Sequence, residues 1–168
     1  MSTVPPRGLR ELVGAPLLRF TRDGVVQTFA FGAWVRRERR PSETPSIALE
    51  VECAWRLVME GEFFTGSSDI FRSPHLPPPA DFDPTDSRNV CDVRMQRFLH
   101  DHAPERPRVR AAAATPSGDL RIDFAEGTWL ELFAERVPET AWRLVVAGET
   151  ARGMAADLPA APPRRRPR

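Results

Sequence analysis

Long apolar runs, glycine-rich phosphate loops and clustered cysteines are all missing from this chain of 168 residues, and lysine and tyrosine do not occur at all. No stretch is long enough to span a bilayer, and Met1 to Gly14 holds no apolar segment of signal-peptide length. No membrane partner and a cytoplasmic location are therefore expected. The two cysteines, Cys53 and Cys91, form no CxxC, so they make neither a zinc site nor a redox motif. Both are expected to be reduced thiols. No Walker or dinucleotide fingerprint appears, which removes the commonest nucleotide enzymes. Without lysine, all 24 basic residues are arginine. Together with abundant Ala and Pro, this reflects a GC-rich bacterial genome more simply than selection for bidentate anion binding.

What is present is a core's worth of apolar residues, including four Trp and ten Phe. The length suits one domain over residues 1–150. The net charge of +1 is unevenly spread. Residues 151–168 hold five Arg and one Asp, leaving 19 basic and 22 acidic residues in the first 150. The body is thus slightly acidic, unlike a dedicated nucleic-acid-binding fold with a basic face. The Ala-, Pro- and Arg-rich tail has little to bury and is expected to be disordered.

Alternation of apolar and polar residues predicts mostly strands. Residues 17–21 and 25–31 flank Asp23-Gly24, a hairpin signal. The clearest strand covers 47–57, with Ile47, Leu49, Val51, Cys53, Trp55 and Leu57 on one face. Glu60-Gly61 turns it into 62–65. Residues 32–45 and the proline-rich 72–87 read as loops. Asp86 or Ser87 is expected to cap a main helix near 88–100, with Cys91, Met95, Phe98 and Leu99 as its apolar stripe. A short N-terminal helix at 8–14 should turn Leu9, Leu12 and Val13 inward. Strands at 108–115, 120–124, 128–134 and 139–146 complete a meander. The predicted fold is α+β and predominantly antiparallel, with about seven to eight strands. Periodicity does not separate a sandwich from a curved sheet wrapped on the helix.

The pentapeptide Ala-Trp-Arg-Leu-Val occurs twice, at residues 54–58 and 141–145. Other short motifs keep a fixed order around it: Leu-Val-Gly at 12–14, Phe-Ala-Phe-Gly at 29–32, Gly-Ser-Ser-Asp at 66–69, Leu-Arg-Ile-Asp-Phe-x-x-Gly at 120–127 and Leu-Glu-Leu-Phe at 130–133. In that order the chain resembles a family of small uncharacterised bacterial proteins from high-GC genomes with two Trp-Arg-Leu strands. The resemblance covers roughly residues 9–146 and implies no activity, cofactor or site residue.

Candidate chemistry is sparse. Asp81, Asp83 and Asp86 with His75 offer oxygen ligands, but the spacing completes no EF-hand and reads as a solvated loop. His100 and His102 lie two apart on a helix and diverge. Gly66-Ser67-Ser68-Asp69 lacks the nucleophile elbow, and no His is placed beside it. No metal or cofactor site and no catalytic residue is predicted. Arg56 and Arg143 project opposite their Trp neighbours, as anion ligands or, more simply, as partners of Glu50, Glu52 or Glu131. Asp69 is a further binding candidate. Trp129 and Phe133 share one face of a strand whose other face holds Leu130 and Leu132. They are either buried under the helix or form a contact patch for another protein. Arg36, Arg37, Arg39 and Arg40 in the loop, and Arg164, Arg165, Arg166 and Arg168 in the tail, are nucleic-acid candidates through counterion release. A small cytoplasmic protein-interaction module, immunity-like or accessory and without catalysis, is the leading expectation. Weak nucleic-acid or anionic-surface contact comes second, and a small-ligand site or unrecognised enzyme third.

Overall fold

A computed structural model describes residues 7–36, 42–125, 127–134 and 141–147. The chain is α+β, with two antiparallel sheets around one core. The first sheet has the order β1(Leu17–Asp23), β2(Val26–Arg36), β3(Glu43–Val51), β9(Trp142–Val146). The second runs β5(Glu62–Gly66), β4(Ala54–Met59), β8(Trp129–Phe133), β7(Leu120–Asp123), β6(Ala111–Ala114). The helices are α1(Arg7–Leu12) and α2(Val90–Asp101), with a short 3-10 turn, η1(Ser67–Phe71), after β5. Among the described residues no helix is long and apolar enough to cross a membrane.

The long alternation at 47–57 is two strands, not one. At Glu52 and Cys53 the chain leaves the first sheet and enters the second, and both backbone N–H groups donate to the Ala141 carbonyl at 2.9 and 3.1 Å. Since the corner consumes two residues, Leu49, Val51, Trp55 and Leu57 all still face the core. The two sheets meet through aromatic rings: Phe29 packs edge-on against Trp55 at 5.1 Å, and Phe31 stacks on Phe124 at 6.5 Å. The architecture is therefore sheet on sheet rather than one sheet wrapped on a helix.

Other boundaries move for local reasons. Pairing in β2 continues to Arg36 and resumes in β3 at Glu43, so the span 32–45 is largely ribbon rather than loop. Gly32 (φ +87°) sits where the β2–β3 register shifts, and Ser46 there accepts from the Ala33 N–H and donates to the Phe31 carbonyl. Helix α2 starts at Val90 because Asn89, not Asp86 or Ser87, is the cap. Its side chain accepts from Asp92 N–H, and the Asp92 carboxylate accepts from Asn89 N–H. Val13 is exposed, while Leu9 and Leu12 are buried.

Two ionic nodes fix α2. Arg22 on β1, largely buried, grips Asp92 with two nitrogens at 3.2 and 3.0 Å and donates to the carbonyls of Gly24, Thr85 and Ser87. At its middle, Arg94 donates to Asp69 at 2.9 Å and to the Phe64 carbonyl at 2.8 Å. Between the sheets, Trp55 Nε1 donates to the buried Gln27 at 3.0 Å, and Gln27 in turn donates to the Val25 carbonyl. Removing either partner leaves a polar atom stranded. Gln27→Leu and Trp55→Phe should each lower stability by about 1–3 kcal/mol. Urea unfolding of the double variant should show clearly less than the sum; strictly additive losses would show that the pair is not coupled.

Candidate functional site

The predicted site residues within the described range each have a definite position. Asp69 is no open ligand: it is 1 % exposed and takes Thr65 Oγ1 at 3.0 Å, Arg72 at 2.9 Å and Arg94 at 2.9 Å. A buried carboxylate so enclosed ties β5, η1 and α2 together. Ser67 is likewise spent on structure, accepting from the Trp55 N–H at 3.2 Å.

Arg56 and Arg143 lie in different sheets and do not converge. Arg56 pairs with Glu131 on β8 at 2.6 Å, and Arg143 pairs with Glu50 on β3. Both are direct cross-strand neighbours in register. The repeated pentapeptide is thus one packing solution used once per sheet, with Leu57 and Leu144 inward and arginine outward.

Trp129 and Phe133 are not covered by the helix, which packs on η1, β5 and β1. Arginines of the sheet lie over them instead: the Arg121 guanidinium sits 4.3 Å from the Trp129 ring centre, and Arg56 sits 5.3 Å from that of Phe133. Glu131, between the two rings, accepts from both arginines. Phe63 on β5, which sequence reading missed, is 53 % exposed. It pairs with Val58, whose other neighbour is Trp129; Val58 is only 4 % exposed although it points outward with them. The outer face of the five-stranded sheet therefore carries Phe63, Val58, Trp129 and Phe133 interleaved with Arg56, Arg121 and Glu131. Trp129 Nε1 is buried there without a hydrogen-bond partner among the described residues. The signal for Phe63 was weak, because two adjacent phenylalanines do not say which faces out.

A cleft of about 430 Å3 opens where β3 passes into β4, beside η1. Val25, Glu52, Ser67, Ser68, Ile70 and Phe71 line it, and Cys53 borders it. Arg36 is exposed at the end of the β2–β3 ribbon; Arg37, Arg39, Arg40, Arg164, Arg165, Arg166 and Arg168 lie outside the described residues. Among the described residues no group of three or more His, Cys, Asp or Glu could hold a metal ion. Asp83, in the acidic loop, accepts from Thr85 N–H and Oγ1, bonds that hold its carboxyl below the usual range.

No protein-family model, curated protein or solved structure matches this chain. Its function must be read from the geometry.

The two thiols differ sharply. Burial pushes Cys91 up to about 12, whereas Cys53 is only half-buried at the cleft. At about pH 8 a thiol reagent should therefore modify one cysteine in the native protein and the second only on unfolding. Equal rates would contradict the packing of Cys91. Replacing the buried Asp69 with Ala should cost about 1–3 kcal/mol, because it strands the buried Thr65 hydroxyl and releases Arg72 and Arg94; a loss below about 0.5 kcal/mol in urea unfolding would show that the node is not structural.

Proposed function

We propose that this protein is a binding module that recognises another protein through the outer face of its five-stranded sheet, without catalysis of its own. The observation that carries this reading is the exposed Phe63 beside the half-buried Trp129 and Phe133, with Arg121 and Arg56 laid over the last two rings. Aromatic residues and arginine are the types enriched where protein interfaces concentrate their energy. Arg56 and Arg121 already share Glu131, so the face is nearly neutral and suits an apolar partner patch edged by carboxylates better than a polyanion. A cytoplasmic role as an immunity-like or accessory protein fits the small size, by analogy alone.

Nuclease-treated native lysate at moderate salt should yield a partner whose binding, measured with purified proteins, falls at least about tenfold in both Phe63→Ser and Arg56→Glu. Amide exchange should slow in β4, β7 and β8 on binding. A partner indifferent to both substitutions would send the interface elsewhere on the molecule.

One observation supports a second reading. The β2–β3 ribbon extends past both neighbouring strands, with Trp34, Val35 and Arg36 exposed at its end. A two-stranded ribbon fits a nucleic-acid groove, and the adjoining sequence, residues 36–40, holds four arginines. Binding of that kind would be lost after nuclease treatment and would weaken steeply with salt.

A further inference from the structure

We infer that the cleft at the β3–β4 corner receives an arginine side chain presented by a partner polypeptide. This site lies at the corner rather than on the aromatic face and does not depend on it.

The first argument is charge. Several carboxylates of the two sheets and η1 are matched: Glu50 with Arg143, Glu131 with Arg56 and Arg121, Asp123 with Arg121, and Asp69 with Arg72 and Arg94. Glu52, exposed and lining the cleft, has no ion-pair partner among the described residues. Among the described residues no basic side chain lines the cleft, so its field favours a cation.

The second argument is the ring. Trp34, Phe133 and Trp129 each carry an arginine guanidinium at 4.7, 5.3 and 4.3 Å. Phe71 is 64 % exposed at the cleft and carries no cation or ring partner among the described residues. A guanidinium laid on that ring while donating to Glu52 would repeat an arrangement the protein already uses on its own surface. Val25 and Ile70 supply apolar wall for the methylene stem, and the Ser68 hydroxyl offers a further acceptor.

The third argument is size. A volume of about 430 Å3 exceeds what one side chain fills and leaves space for its flanking main chain. Because the cleft is broadly open to solvent rather than enclosed, it suits a group held out by a polypeptide better than a free small molecule needing enclosure. The planar fork of arginine also matches a carboxylate and a ring better than an ammonium does.

The test titrates acetyl-Ala-Arg-Ala-amide into the isotope-labelled full chain and follows amide shifts. Changes should centre on Glu52, Cys53, Ser68 and Phe71 with a Kd of about 1 mM, and bound peptide should slow alkylation of Cys53. Glu52→Gln, or the neutral citrulline peptide, should weaken binding about tenfold, and Phe71→Ala about fivefold. Both positions are exposed, so the variants should keep the native spectrum. Unchanged affinity in Glu52→Gln, equal binding of the citrulline or lysine peptide, or shifts confined to other surfaces would each overturn the assignment. Concentration-dependent shifts at the same residues without peptide would overturn a separate partner in favour of a second copy of this chain.

Discussion

The indole of Trp55 holds the molecule's two layers in one arrangement. It stands just after the corner where the chain passes between sheets, with Phe20 and Phe29 against its ring and Gln27 accepting its N–H. Ser67 receives the N–H of the same residue and so ties η1 to the corner. The residue thereby sets the spacing of the sheets through its side chain and the position of the turn that walls the cleft through its backbone N–H. A buried hydrogen bond inside an aromatic cluster is costly to break, since neither partner finds water.

Arginine does much of the remaining structural work, and this explains why an arginine-rich chain need not be a polyanion binder. Arg22 and Arg94 anchor the helix to β1 and to β5 with η1. Arg56, Arg121 and Arg143 knit cross-strand pairs on the two sheet surfaces. Exposed pairs of this type contribute little each, but they decide which rings are covered and which are open. The open ones, Phe63 and Phe71, mark the two surfaces argued to bind.

Much of the architecture was legible because period-two patterning survives in β1 and through the second half of β3 into β4. The hairpins at Asp23-Gly24 and Glu60-Gly61 and the apolar stripe of α2 follow from local chemistry. The break at Glu52 and Cys53 was hidden, because a two-residue corner leaves the alternation intact. The helix cap was also missed, although the chain holds a single asparagine, Asn89, and it is buried at the cap. Asp and Ser outnumbered it in the same loop and are equally good caps on intrinsic grounds. The sites were less legible still. Which glutamates find a partner, and which phenylalanines are left bare, depends on strands brought together from distant parts of the chain.

The corner has a consequence for how this sequence can change. Parity, not length, is what it conserves. Inserting or deleting one residue there would leave the first sheet untouched but turn β4 over, sending Arg56 inward and Trp55 out to solvent. A change of two residues would keep every side chain on its present face and alter only the reach of the corner. Length variation among sequences of this fold should therefore come in even steps at the corner, where it would reshape the cleft without disturbing the core.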